Sequence, residues 1–106
     1  MRLPWEGSEQ AGERPVLIVS NEPINRALPI VTVLPMTWRH PYRRVYSTEV
    51  LLPEGDAGQP NESIIMAHQV RTVSKDRLVR SYGWVQNEEL RDKVRDAMRV
   101  HLDLDP

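Results

Sequence analysis

Two residues at the ends of neighbouring apolar stretches could together act on a phosphate group. Arg14 directly precedes Pro15 and the apolar run of residues 16–19, and Thr37 ends the apolar run of residues 29–37. Both runs are typical of buried strands. The start of one strand lies beside the end of its antiparallel neighbour, so Arg14 and Thr37 can meet. A guanidinium and a hydroxyl both hydrogen-bond to phosphate oxygens. The spacing alone also fits an ordinary arginine at a strand edge.

RNA cleavage suits such a pair, because RNA carries its own nucleophile. The 2′-hydroxyl attacks the adjacent phosphorus, and the enzyme aligns the phosphate and neutralises charge on its oxygens. The chain has no cysteine, and its histidines His40, His68 and His101 lack the spacing of metal ligands. We therefore expect neither a metal nor another cofactor.

Polar residues precede the first of these strands. Ser8, Glu9 and Gln10 lie between Gly7 and Gly12, and both glycines allow backbone angles that are closed to other residues. This composition predicts a mobile polar loop beside the arginine that begins the strand.

A second polar segment, residues 38–44, follows the other strand. It carries Arg39, Arg43 and Arg44 together with a tryptophan, a histidine and a tyrosine. Cations that bind phosphates and rings that stack on unpaired bases are what single-stranded RNA recognition uses. The segment therefore predicts a contact with RNA, and the alternative is an ordinary solvated hairpin tip.

The composition limits the class of protein. A chain of 106 residues is one small domain, here residues 1–106, and its formal net charge of −1 excludes a wholly basic protein that coats nucleic acid. No segment is apolar and long enough to span a membrane, and the N-terminus lacks a signal-peptide core. These features predict a cytoplasmic protein.

Short strands followed by one helix make up the predicted fold. Nine prolines divide the chain into short segments. Asn87 has the character of an N-cap, and Leu90, Val94 and Ala97 recur at helical spacing. We expect a mainly β fold, a curled antiparallel barrel capped by a C-terminal helix. Further strands are predicted at residues 45–52, 63–67 and 77–80, and a turn or short helix at residues 21–26.

Residues 7–16, GSEQAGERPV, closely resemble the loop-and-strand signature of the MazF/PemK toxins, which are sequence-specific endoribonucleases of toxin–antitoxin pairs. Residues 25–37, 67–78 and 87–90 are similar to the later segments of that family, in the same order. The resemblance covers nearly the whole chain, from Gly7 to Leu102.

The resemblance implies an SH3-like barrel, a homodimer and a cognate antitoxin that lies in the RNA groove. It implies that Arg14 and Thr37 are catalytic and that the polar loop contacts RNA through Ser8, Glu9 and Gln10. The implied reaction is metal-independent cleavage of single-stranded RNA, which leaves a 2′,3′-cyclic phosphate and a 5′-hydroxyl.

Two features differ from the family pattern. Family members usually have a hydrophobic strand ahead of the loop, whereas only six residues precede Gly7 here, so we expect that strand to be largely absent and a sheet edge to be exposed. His68 stands before Gln69, where an acidic residue is usual. It could act as a general base or lie in a dimer interface, and we predict both residues as substrate contacts.

Two other functions remain open at this stage. The same fold could serve as a non-catalytic inhibitor that binds a protein such as DNA gyrase. A degenerate member of the family could bind only the antitoxin. The presence of both Arg14 and Thr37 favours the nuclease.

Overall fold

A computed structural model describes the backbone of residues 5–10 and 14–105, and the side chains of residues 6, 7 and 14–105. Seven strands and two helices lie in these ranges. The strands are β1 (Trp5–Gln10), β2 (Arg14–Ile18), β3 (Ile30–Trp38), β4 (Glu49–Leu52), β5 (Ser63–Met66), β6 (Arg71–Ser74) and β7 (Leu78–Val85); the helices are α1 (Glu22–Ala27) and α2 (Glu88–Leu102), and short 3₁₀ turns span Ala67–Gln69 and Lys75–Arg77.

All the strand pairs are antiparallel, in the order β4-β5-β3-β2-β1-β7, with β6 also paired to β3. The end strands β4 and β7 do not pair with each other within the described ranges. The predicted β fold with a C-terminal helix is confirmed, and the sheet is curled rather than closed into a barrel. No helix in the described part of the chain is both long and apolar enough to cross a membrane.

The long strand β3 has two partners along one side. Residues 30–33 pair with β6, residues 36–38 pair with β5, and the opposite side pairs with β2. Pro35 lies at the change from β6 to β5. Because proline has no N–H to give to a ladder, it is tolerated at this interruption. Pro35 therefore lies inside a strand that has partners on both sides.

The N-terminal segment differs from the sequence prediction. Residues 7–10 were expected in a loop, but they form the second half of β1, which pairs with β2 on one side and β7 on the other. The edge expected beside β2 is therefore covered. Ala11, Gly12 and Glu13, in the predicted loop, lie outside the described residues.

Close packing explains Gly7 better than loop flexibility does. A β-carbon at Gly7 would lie 2.8 Å from the carbonyl oxygen of Ala57, which is fully buried in the loop between β4 and β5. Glycine allows this loop to pack directly against β1.

Apolar residues are buried on both faces of β2. Leu17 belongs to the cluster that α2 covers, whereas Val16 and Ile18 belong to a second cluster with β3 and β6. Burial on both faces explains why the run is apolar without alternation. The predicted helix is confirmed, because the Asn87 side chain accepts a hydrogen bond from the N–H of Leu90.

Three strand boundaries differ from the predictions. The strand expected at residues 45–52 begins only at Glu49, and β6 was not predicted as a strand. The strand expected at residues 77–80 begins at Leu78 and continues to Val85, because it pairs along the whole of β1.

Gln59 gives a test of the loop that packs on β1. Its side chain is buried, accepts a hydrogen bond from Ala57 N at 2.9 Å and donates to the carbonyls of Pro53 and Asn61 at 2.8 and 3.2 Å. Gln59→Leu leaves the buried N–H of Ala57 without its acceptor and removes one donor from each carbonyl, so we expect unfolding free energy to fall by about 1–3 kcal/mol. Urea denaturation measures it. Asn61→Ala is the matched control, since it keeps the carbonyl, and an equal loss in both variants would contradict the assignment.

Candidate active site

The register of the sheet brings Arg14 and Thr37 together. The β2–β3 ladder pairs Val16 with Pro35 and Leu17 with Leu34, so Arg14 and Thr37 each lie two residues beyond the last pair, at the same end of the ladder. Both residues line one cavity of about 340 Å³. The expected meeting of the two residues is therefore observed, and their catalytic roles stay predictions.

We call this the cationic cavity, because three arginines line it. Arg14 comes from β2, Arg43 from the segment before β4, and Arg71 from β6, where it pairs with Val33 of β3. None of the described lining residues is acidic. The full set of described lining residues is Arg14, Pro35, Met36, Thr37, Arg43, Met66, Gln69 and Arg71.

Clustered guanidinium groups define what the cavity can bind. Together they attract a multiply oxygenated anion, and a guanidinium can hold such an anion by two parallel hydrogen bonds. Thr37 and Gln69 add neutral donors and acceptors. Within the described residues no group of three or more His, Cys, Asp or Glu side chains could hold a metal ion. The arrangement therefore suits a phosphate.

Arg43 is fixed by a carboxylate. Its Nη2 and Nη1 atoms donate to Oε2 and Oε1 of Glu49 at 2.8 and 3.1 Å, and the N–H of Tyr46 donates to the same Oε1 at 3.1 Å. The Glu49 side chain is only 3% exposed. The hydrogen bonds from Arg43 hold the pKa of the Glu49 carboxyl below its ordinary value, and the Tyr46 N–H and His68 act in the same direction against the effect of burial.

A second cavity of about 440 Å³ is also lined by Arg43. We call it the histidine cavity. His68, in the 3₁₀ turn after β5, has its Nδ1 atom 3.2 Å from Oγ1 of Thr48. The described residues that line the histidine cavity are Arg43, Tyr46, Thr48, Glu49 and His68.

The other predicted contact residues are dispersed. Gln69 lies in the cationic cavity, whereas Arg39 pairs with Glu62 at 3.3 Å and lines neither cavity. Arg44 is exposed, and its guanidinium carbon lies 5.1 Å from the centroid of the Tyr46 ring. The structure thus separates the three loop arginines into different surroundings.

The polar residues of β1 are described only by their backbone. Gln10 pairs with Arg14 and Ser8 pairs with Val16, so this half of β1 runs directly beside the start of β2. The side chains of Ser8, Glu9 and Gln10 lie outside the described residues.

Four residues at these cavities were not predicted from the sequence. Arg71 and Thr48 belong to short segments whose partners are distant in the chain, so no local pattern singled them out. Tyr46 and Glu49 lie in a segment that was expected to be one regular strand. The alternation of Arg71 with the buried Val73 is the one signal that could have placed that arginine on a strand.

Comparisons with known proteins agree with the sequence resemblance. A family model described as "PemK-like, MazF-like toxin of type II toxin-antitoxin system" matches residues 1–102. The chain is 33% identical to Endoribonuclease MazF9 of Mycobacterium tuberculosis (strain ATCC 25618 / H37Rv) over an alignment 106 positions long, which covers 95% of this chain and 87% of the relative.

Solved structures share the fold. Mycobacterium tuberculosis toxin MazF-mt6 superposes with a TM-score of 0.80 at 26% identity, covering 96% of this chain and 99% of that one. An endoribonuclease from Mycobacterial species, solved in complex with its cognate antitoxin, gives a TM-score of 0.76 at 27% identity, with 98% and 94% covered.

The ion pair of Arg43 and Glu49 predicts a pH-dependent stability. Because folding lowers the pKa of Glu49, the pair stabilises the fold above the ordinary glutamate pKa of about 4.3, and this stabilisation is lost as the pH falls through the lower folded-state value. Glu49→Gln should be less stable than the wild type at pH 7, and the difference should shrink below pH ~4. Urea denaturation from pH 7 to pH ~3 measures it.

Glu62→Gln is the matched control, since Glu62 is an exposed partner of Arg39. Its stability should stay parallel to that of the wild type over the whole pH range. A constant difference between the wild type and Glu49→Gln would contradict the assignment.

Proposed function

Because this chain belongs to the family of PemK-like, MazF-like toxins of type II toxin–antitoxin systems, we propose that it is a metal-independent endoribonuclease that cleaves single-stranded RNA, including mRNA, at specific sequences. One observation carries the proposal: Arg14 and Thr37 line one cavity together with Arg43 and Arg71. Folding has gathered these cations although the net charge of the chain is −1.

In the proposed reaction the RNA supplies the nucleophile. The 2′-oxygen forms a bond to the adjacent phosphorus, the bond from phosphorus to the 5′-oxygen breaks, and the products are a 2′,3′-cyclic phosphate and a 5′-hydroxyl. The proton lost by the 2′-hydroxyl and the proton gained by the leaving oxygen balance, so this step consumes no water.

The cavity contributes alignment and charge neutralisation. The guanidinium of Arg14 binds the non-bridging oxygens, whose charge grows in the transition state, and Arg71 adds a second positive charge at the same cavity. The Thr37 hydroxyl hydrogen-bonds the same phosphate and fixes its orientation. Because a guanidinium is a permanent cation, these two arginines can neutralise the charge of the phosphate oxygens without a metal ion.

The surrounding polar residues complete the proposed RNA surface. Gln69 contributes from within the cationic cavity, and Arg43 forms the wall between the two cavities. Arg44 and the neighbouring ring of Tyr46 offer a cation and a stacking surface outside them. The proposed substrate contacts are Ser8, Glu9, Gln10, Arg39, Arg43, Arg44, His68 and Gln69.

The proposed partners follow from the family. The chain acts in the cytoplasm as a homodimer, and a cognate antitoxin neutralises it by covering the RNA site. A similar endoribonuclease was solved with its cognate antitoxin, which supports this partner. A disordered acidic segment that folds on binding would suit the cationic cavity, because it would compete directly with RNA phosphates.

Cleavage of mixed-sequence RNA in EDTA tests the activity. The wild type should cleave, and Arg14→Ala and Thr37→Val should each lower kcat by about 10²–10³-fold, as expected when a group that stabilises transition-state charge is removed. Mass spectrometry of the fragments should find 2′,3′-cyclic phosphate ends.

The matched control is Arg99→Ala, because Arg99 lies on α2 and pairs with Asp96 at 2.9 Å, away from the cavity. It should cleave like the wild type. If folded wild-type protein cleaves no RNA, with or without divalent metal, the nuclease proposal fails and a purely binding role is favoured. Cleavage that requires metal would contradict the proposed mechanism alone.

The salt dependence of RNA binding tests Arg71. Binding to an uncleavable RNA with 2′-O-methyl groups should weaken as salt rises, since each phosphate contact releases counterions. Arg71→Gln should weaken binding and reduce the slope of log K against log salt by about 0.7, the value for one contact to a single strand. Arg95→Gln, on α2, is the control, and an unaltered slope in Arg71→Gln would exclude Arg71 from the RNA surface.

A further inference from the structure

We propose that the histidine cavity holds the nucleobase next to the cleaved phosphodiester, and that His68, held in place by Thr48, reads the edge of this base through its Nε2 atom. The inference rests on the proposed function and extends it, because it assigns the sequence preference to particular side chains. Neither Thr48 nor Tyr46 was singled out by the sequence.

The two cavities adjoin at one side chain. Arg43 lines both of them, so an RNA chain whose phosphate lies in the cationic cavity can reach the histidine cavity by passing this residue. The buried carboxylate of Glu49 holds this guanidinium by two hydrogen bonds. The wall between the cavities is therefore preorganised, and it can keep two neighbouring nucleotides apart at a fixed spacing.

The histidine cavity has the chemistry of a base pocket. Its volume of about 440 Å³ lies within the usual range for small-ligand sites, about 300–1,000 Å³. The Tyr46 ring is half exposed and provides an aromatic face, with the guanidinium of Arg44 5.1 Å from its centroid. Stacking on such a face does not depend strongly on the identity of the base, so selection requires polar groups at the edge.

His68 supplies such a group, and Thr48 holds its ring by the contact at Nδ1. If the Thr48 hydroxyl donates to Nδ1, the Nε2 atom carries the proton and donates to the base. If Nδ1–H donates to Thr48, then Nε2 accepts from the base. Nε2 lies on the side of the ring away from Thr48, so it is the atom that meets the base edge, and a base with the complementary group at that point is favoured.

The fold does not need this side-chain pair to hold its two segments together. The N–H of Ala67 donates to the carbonyl of Thr48 at 2.9 Å, and the β4–β5 ladder continues beside it by pairing Glu49 with Met66. The backbone thus already joins the residues on either side of the pair. The Thr48 hydroxyl and the exposed imidazole of His68 are left to interact with a ligand.

Cleavage of a randomised RNA pool, read by sequencing the cut sites, tests the inference. Thr48→Val and His68→Ala should each reduce discrimination at one position beside the cut by roughly fivefold to tenfold, the value of one hydrogen bond. Preferences at the other positions should stay as in the wild type. The pH profile of cleavage by His68→Ala should keep the shape of the wild-type profile, because His68 contacts a nucleobase and transfers no proton in the reaction.

Two matched controls carry the same chemical changes elsewhere. Thr72→Val lies on β6, and His101→Ala lies in the last turn of α2. Both should cleave with wild-type preference. A uniform loss of rate with unaltered preference in Thr48→Val and His68→Ala, or loss of one limb of the pH profile in His68→Ala, would overturn the inference.

The inference and the proposed function fail in different ways. Arg14→Ala should lower cleavage at every sequence, whereas the histidine-cavity variants change which sequence is cut. If the wild type cleaves no RNA, binding to the four uncleavable homopolymers replaces cleavage as the measurement. Wild-type preference for one homopolymer that Thr48→Val reduces would support the pocket, and equal binding of all four by the wild type would overturn it.

Discussion

The pairing of β3 is the constraint on which the candidate site depends. One side of this strand pairs with β2, whose first residue, Arg14, lines the same cavity as Thr37. The other side pairs first with β6, which carries Arg71, and then with β5, which leads into the turn that carries Gln69. A register shift of one residue in any of these ladders would turn the side chains to the opposite face. The cationic cavity is therefore a consequence of three registers that meet on one strand.

Pro35 allows one side of β3 to pair first with β6 and then with β5. The missing N–H at Pro35 interrupts the ladder where β6 ends and β5 begins, so the interruption leaves no buried donor unpaired there. A proline that would weaken most central strands is accommodated here because the strand changes partners around it.

The sequence predicted the β2 and β3 strands, helix α2 and the meeting of Arg14 with Thr37, because each depends on a long apolar run or on a cap that is readable locally. It did not predict β1 as a strand, since polar residues and glycines are also typical of loops, and only the contact of Gly7 with Ala57 shows why glycine is required. The strand that carries Arg71 was not predicted, for a similar reason. A four-residue strand has too few alternations to be distinguished from a turn, and its identity depends on a partner about forty residues earlier in the chain.

Glu49 shows how one buried carboxylate can organise a cationic site without neutralising it. A carboxylate beside a phosphate would repel it, yet Glu49 is buried and its hydrogen-bonding capacity is directed to Arg43 and the N–H of Tyr46. These hydrogen bonds keep the carboxylate from acting on a ligand in the cationic cavity. The carboxylate instead fixes the orientation of the Arg43 guanidinium, which lines that cavity. Arg14 and Arg71 line the same cavity and supply its positive charge, whereas Arg43, which is paired with Glu49, contributes to the shape of the cavity. This division explains why a chain with a small net negative charge can still present a phosphate site.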